Sequence, residues 1–255
     1  MAKIVSFSNQ KGGVGKTTTC INLASYLATE GKKCLIVDLD PQGNATTGLG
    51  VSKSDLEFSV YDLLVDESCD PAEIIIRIDE NLDLLPASVD LAGAEIDLVQ
   101  VVGRERRLKR AIDKIARDYD YVAIDCPPSL GLLTVNALTA SNSVLIPLQS
   151  EYFALEGLAQ LLNTIKLVKT HLNPDLEVEG VVITMLDGRT TVARQICDEV
   201  RKYFGKRVYQ TVIPRNVRLA EAPSHGKPVG KYDEKCSGAK AYFALTQEFI
   251  KRQNL

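Results

Sequence analysis

No stretch of this chain reaches the roughly 18 to 20 consecutive apolar residues that a membrane-spanning helix requires. The N-terminus enters a strand-like run where a secretory signal would place a charged and then an apolar segment. The expected location is therefore the cytosol. There is no C-x-x-C pair among the six cysteines (Cys20, Cys34, Cys69, Cys126, Cys197, Cys236), and the two histidines, His171 and His225, lie far apart. That scatter argues against a zinc site and reads the cysteines as reduced small hydrophobes. Internal repeats, low-complexity tracts and Ser/Gly-rich linkers are also missing, so no domain boundary is drawn and residues 1–255 are expected to form one domain. At 255 residues and 45% hydrophobic side chains, the chain can bury a large core.

A formal charge of −3 hides an asymmetry. Residues 181–255 carry 14 Lys/Arg and 7 Asp/Glu, a net of +7, which leaves −10 on residues 1–180. A basic final third on an acidic body suits a polyanion bound by one face, and equally suits solvated helix surfaces.

Short β-rich runs alternate with longer segments of helical period from end to end. This is the pattern of a mostly parallel twisted α/β sheet covered by helices on both faces. Strands are expected at Lys3 to Ser8, Lys33 to Asp38, Leu82 to Leu85, Tyr121 to Asp125, Ser143 to Leu148, Gly180 to Thr184 and Val208 to Val212. Several are almost wholly apolar, as strands buried on both sides are. Helices are expected at Lys16 to Glu30, Ala92 to Val101, Glu105 to Arg117, Leu130 to Ala140, Leu155 to His171, Val192 to Phe204 and Ala239 to Lys251, with glycine or proline closing several of them.

The first strand runs directly into Lys11-Gly12-Gly13-Val14-Gly15-Lys16-Thr17-Thr18, where helix signals begin. Glycines let backbone approach a phosphate while first-turn N–H groups and the helix dipole point at it. Lys16 is placed to contact β- and γ-phosphates, Thr17 to offer its hydroxyl to Mg²⁺, and Thr18 to meet an α-phosphate oxygen. Gln10 stands where the ordinary phosphate-loop pattern has its first glycine, and Lys11 is an additional lysine. Two ammonium groups so close repel, so a polyphosphate that neutralises both acts as counter-ion and as glue.

K-G-G-x-G-K-T resembles the deviant Walker A motif of the ParA/MinD superfamily of P-loop ATPases. The resemblance implies that Lys11 reaches across a dimer interface to the phosphates of the partner's nucleotide, as an arginine finger does in trans. ATP binding and homodimer formation then form one linked equilibrium. The cofactors implied are ATP/ADP and Mg²⁺, and the residues of the cradle are Lys11, Gly12, Gly13, Val14, Gly15, Lys16, Thr17 and Thr18.

Val37-Asp38-Leu39-Asp40-Pro41-Gln42-Gly43-Asn44 ends the second strand at the edge where open α/β sheets bind ligands. Alternation with Leu39 directs both carboxylates toward one face. Taken alone, Asp40-Pro41 also reads as a turn opener. The run is similar to the family's second motif, which implies that Asp40 orients the attacking water. Tyr121 to Pro128 is an apolar strand ending in Asp125, suited to hold Mg²⁺ through a coordinated water. Cys126 beside it has no neighbouring cysteine that would make a redox pair.

Similarity to the ParA/Soj chromosome-partition branch continues through Val37 to Leu49, Asp125 to Ala140, Ile146 to Gly157 and Thr211 to Pro228. It implies an adenine-side loop at Ile213 to Gly226, with Pro214 and Asn216 as base contacts, where a plain Pro-rich connector is the alternative. Glu151 is expected to meet Lys11 or the nucleotide across the interface. Arg189 and Arg218 are implied to bind DNA without base readout, since the chain has no helix-turn-helix or zinc-finger pattern. The phosphate loop begins so near residue 1 that the N-terminal operator-binding domain of longer partition ATPases is expected to be missing. The implied function is chromosome or plasmid partition: an ATP-bound sandwich dimer on nucleoid DNA, released when a ParB/Spo0J-type partner stimulates slow hydrolysis. Two rivals stand beside it. A MinD-like membrane-cycling ATPase would need a basic amphipathic C-terminal helix, and an iron–sulfur reductase would need paired interface cysteines.

Overall fold

The computed structural model describes residues 2–150, 154–186 and 191–253. Its strands are β1 (Lys3–Phe7), β2 (Cys34–Asp38), β3 (Ile76–Asp79), β4 (Leu82–Leu85), β5 (Tyr121–Asp125), β6 (Ser143–Gln149) and β7 (Glu177–Thr184). They form one sheet in the order β3-β4-β2-β5-β1-β6-β7, parallel throughout except for the antiparallel β3–β4 pair at one edge. The helices are α1 (Lys16–Thr29), α2 (Asn44–Gly48), α3 (Val60–Val65), α4 (Pro71–Ile74), α5 (Ala94–Asp97), α6 (Arg107–Ile115), α7 (Leu132–Ala140), α8 (Ala154–His171), α9 (Thr191–Phe204), α10 (Val217–Glu221), α11 (Val229–Tyr232) and α12 (Ser237–Gln253).

Alternate residues of one strand enter different cores. Cys34 and Ile36 join α1 and α12 in one apolar cluster, whereas Leu35 and Val37 pack with α3, α6 and α7 in another. A side-chain period of two makes this division inevitable for a strand covered on both faces, and it explains the unbroken apolar runs. A third cluster, around β6 and β7, takes in α8 and α9.

Three local expectations are revised. β3 is a short, half-buried strand with alternating polarity, Ile76-Arg77-Ile78-Asp79, not anticipated from the sequence. The helix expected at Ala92 to Val101 is instead a mixed segment: a 3₁₀ turn at Val89–Ala92, then α5, then a 3₁₀ turn at Leu98–Gln100. The strand expected at Val208 to Val212 does not form; isolated bridges pair Val208 with Val181 of β7 and, just beyond the segment, Pro214 with Leu186, two residues past the end of β7. Tyr209 N still donates to the Val181 carbonyl on β7 (2.9 Å), but the next two N–H groups are claimed elsewhere. The Glu248 carboxylate on α12 accepts from Gln210 N at 2.8 Å and Thr211 N at 2.9 Å, so a side chain replaces the ladder. Tyr209 lies against Gly180, where a Cβ would meet the Arg207 carbonyl at 2.5 Å, so bare backbone is required there.

Candidate active site

Sheet order decides what meets at the carboxyl edge. β1 lies between β5 and β6, β5 lies between β1 and β2, and in register Phe7 is opposite Asp125, which is opposite Asp38. The loop after β1 therefore faces two strand-end carboxylates from neighbouring strands. Asn9 fixes its start, donating from Nδ2 to the Pro147 carbonyl (2.8 Å) and accepting from Lys11 N (3.0 Å). Gly13 and Gly15 adopt left-handed φ of 73° and 85°, a region costly for any side chain with a Cβ. Thr184 Oγ1 donates to the Val14 carbonyl (2.7 Å) and ties the loop to the end of β7.

α1 then begins with no side-chain cap and no acidic residue in its first turn. Its first N–H groups and its positive dipole end are thus left for an anion. Lys16 is 6% exposed and donates from Nζ to the Lys11 carbonyl at 3.3 Å. Burial lowers its pKa, opposed by the Asp125 and Asp40 carboxylates. A cavity of about 480 Å³ opens here, lined by Gly12, Gly13, Gly15, Lys16, Thr17 and Thr18 on one side and Asp40, Gln42 and Pro128 on others.

Asp125 is fully buried, and neither carboxylate oxygen has a hydrogen-bond partner. Thr17 is near enough to hold its pKa down a little but not in hydrogen-bond geometry, and burial followed by repulsion from Asp38 pushes that pKa well up. A buried carboxylate in this condition calls for a proton or a cation. With the Thr17 hydroxyl beside it, the donor set suits a hard divalent ion that keeps most of its own waters, as Mg²⁺ does.

Asp38 behaves differently. Its Oδ2 accepts from Thr46 N and Thr46 Oγ1, both at 2.7 Å, and Thr46 Oγ1 in turn accepts from Ala87 N (2.9 Å). Asp38 thereby anchors α2 against the turn after β4. Burial still raises its pKa to about 6 against these hydrogen bonds. Asp40 is turn opener and cavity lining together: Oδ1 accepts from Gln42 N (2.9 Å), its carbonyl accepts from Gly43 N (2.8 Å), and the residue borders the cavity.

A protein-family profile described as "AAA domain" matches residues 2–178. The sporulation initiation inhibitor protein Soj of Bacillus subtilis strain 168 is 61% identical over 249 residues, covering 97% of this chain and 98% of Soj. The chain belongs to the Soj/ParA family of chromosome-partitioning ATPases. Among solved structures of the same fold, one described as cobyrinic acid a,c-diamide synthase from Mycobacterium smegmatis with bound ADP and magnesium has a TM-score of 0.87 and 40% identity, covering 100% of this chain and 96% of that one. A plasmid partition protein of Borrelia burgdorferi B31 bound to AMPPNP has a TM-score of 0.84 and 26% identity, covering 99% of this chain and 100% of its own.

A second cavity of about 700 Å³ adjoins the first, sharing Gly15, Thr18, Met185 and Leu219, and Pro214 and Asn216 line it. In this member of the Soj/ParA family the two hollows form a groove with a glycine-loop end and a larger end. The Asn216 side chain is already engaged: Oδ1 accepts from Arg218 N (2.8 Å), capping α10, and Nδ2 donates to Ser237 Oγ (2.7 Å). Met185, with φ of 50°, is the one non-glycine among the described residues with positive φ, and it borders both hollows. Nothing in the sequence marked it, because strain at a strand end is a tertiary property. Arg218 is half-exposed and paired with Glu221 (2.7 Å) and Asp233 (3.4 Å). Glu151 and Arg189 lie outside the described residues.

Proposed function

We propose that the chain is a Mg²⁺-dependent ATPase of DNA partition, acting in the cytoplasm on nucleoid DNA. Two copies close on ATP as a sandwich homodimer, bind DNA without sequence preference, and part when a ParB/Spo0J-type protein stimulates hydrolysis. The observation that carries this reading is the uncapped, acid-free start of α1 next to the unpartnered Asp125 carboxylate. An anion-accepting helix start and a buried, unsatisfied carboxylate lie side by side at the carboxyl edge of the sheet, beside the cavity that Lys16 and Thr17 line, as a metal–polyphosphate requires.

In this reading the Gly12 to Gly15 backbone and the first turn of α1 hold the phosphates, and Lys16 pairs with the β- and γ-oxygens. Thr17 and Asp125 hold Mg²⁺, which when bound supplies charge neutralisation across those oxygens. Asp40 accepts a hydrogen bond from the attacking water and fixes its direction. Lys11 serves the triphosphate of the other copy, with Glu151 near it. Pro214 and Asn216 border the adenine; since the Asn216 side chain is spent on capping, its contact runs through backbone or follows release of Ser237. Arg189 and Arg218 meet DNA phosphates, the latter exchanging a carboxylate partner for a phosphate.

α12 bears on the membrane-cycling alternative. Its apolar residues Tyr242, Leu245 and Phe249 are buried with α1, which leaves Phe243, 46% exposed, as its one large outward-facing hydrophobic, too little for an apolar face that inserts in lipid. Among the described residues no helix is long and apolar enough to cross a membrane. The deciding experiment is size-exclusion chromatography with ATP, ADP or neither, on wild type and Asp40→Ala, followed by a DNA shift on the dimer fraction. Strictly monomeric wild type at saturating non-hydrolysable ATP and Mg²⁺ would overturn the proposal.

A further inference from the structure

The mixed helical segment from Val89 to Gln100 is apolar on two sides. Leu91, Ala94 and Leu98 point inward and are fully buried. Val89, Ala92, Ile96 and Val99, at spacings of three, four and three, form an outward stripe; the three larger ones are 67%, 76% and 58% exposed, and Val102 just beyond is 92% exposed. Four large aliphatic side chains exposed on this short segment and just beyond it mark an interaction surface.

The charges around the stripe select the occupant. Asp90, Glu95 and Asp97 are interspersed with it, and none of the three has an ion-pair partner among the described residues. Asp97 accepts only from the Tyr61 hydroxyl (3.0 Å) and Asp90 from Ser88. Of the basic residues that follow in sequence, Arg104 is engaged with Glu105, and Arg107 and Arg110 with Glu67, while Arg106 is exposed and forms no ion pair among the described residues. An aliphatic stripe edged by unpaired carboxylates complements a helix with an apolar face and basic flanks, and repels an anionic lipid surface.

We infer that this stripe is the docking surface for a basic amphipathic helix of a protein partner. The place has a consequence for the nucleotide groove. Glu95, on the inner edge of the segment, accepts from Leu133 N (3.4 Å) at the start of α7 and fills the space that a Cβ on Gly131 would need. That turn leads back within six residues to Asp125, through Pro128 on the cavity wall. A helix laid on the stripe thus presses on the segment that holds the proposed Mg²⁺ carboxylate. This consequence rests on the ATPase reading; the docking does not.

The probe is a labelled synthetic Leu/Lys amphipathic helix, titrated without nucleotide by fluorescence anisotropy, with a Leu/Glu helix of the same spacing as control. Wild type is expected to bind the Leu/Lys helix. Asp90→Lys/Asp97→Lys should weaken it about tenfold and gain the Leu/Glu helix. Ile96→Ser/Val99→Ser, at exposed positions that leave the circular dichroism unchanged, should lose both. Leu/Lys binding that ignores all four substitutions overturns the inference. So does sedimentation of wild type, but not of Ile96→Ser/Val99→Ser, with anionic vesicles, or a nucleotide-free dimer that the same pair of substitutions dissolves. Failure to bind nucleotide, measured separately, would sink the ATPase reading and leave the docking result intact.

Discussion

At the scale of single residues, the site is an arrangement of charges that do not satisfy one another. Lys16 is buried with its ammonium on a carbonyl, and Asp125 is buried with no partner at all. Lys16→Ala is expected to abolish nucleotide binding, measured by equilibrium titration with a fluorescent ATP analogue. Asp40→Ala should leave ATP bound and trap the dimer; hydrolysis at the wild-type rate would remove Asp40 from its assigned role. The carboxyl pair gives a less obvious expectation. Asp38 and Asp125 hold a proton more tightly in the folded chain than unfolded, so nucleotide-free stability falls as pH rises from about 4 through about 6. Asp125→Asn should raise the melting temperature of the nucleotide-free protein near neutral pH, by about 1 kcal/mol or more of stability, while weakening Mg²⁺-dependent ATP binding. Thermal melts at a series of pH values with EDTA, then with Mg²⁺ and nucleotide, read both signs.

Elements show where side chains overrule local preference. Val208 to Val212 has the composition of a strand, yet Glu248 takes two of its N–H groups, those of Gln210 and Thr211, and Arg252 adds a bond from Nη2 to the Val208 carbonyl (2.9 Å) while lying 3.9 Å over the Tyr209 ring. Burial pushes the Glu248 pKa up, but the two backbone donors and Arg252 outweigh it and the net direction is down. Its contribution is therefore present above the ordinary carboxyl range and is lost as pH falls through its lowered value. Glu248→Gln should cost about 1–2 kcal/mol in urea unfolding, the difference between charge-assisted and neutral bonds at a partly exposed site. A cost indistinguishable from zero would mean that the β7 bridges alone hold the segment.

For the whole molecule, the surface to test is the DNA contact proposed for the nucleotide-bound dimer. DNA held through phosphates should give log K falling with log salt at about −0.9 per neutralised phosphate, whatever the sequence. Arg218→Glu is expected to lose DNA in a gel shift and to keep nucleotide-dependent dimerisation. Because Glu221 and Asp233 flank it, Arg218→Ala is the cleaner companion, removing the cation without gathering three acids. DNA binding unchanged in both would place the contact elsewhere on the basic final third.

The amino-acid order alone determined the glycine-rich loop, the strand-end carboxylates and the parallel sheet, because each is written locally: a glycine-rich turn before a helix, an acid ending an apolar strand, unbroken apolar runs for strands buried on both faces. Tertiary structure alone decided the rest. Asp38 meets Asp125 only because β2 and β5 are neighbours in register. Val208 to Val212 is kept from the sheet by an acid 36 to 40 residues onward, and Asn216 is occupied by a cap and a distant serine. Which buried charge finds a partner depends on contacts between residues far apart in the chain, and no local pattern encodes those.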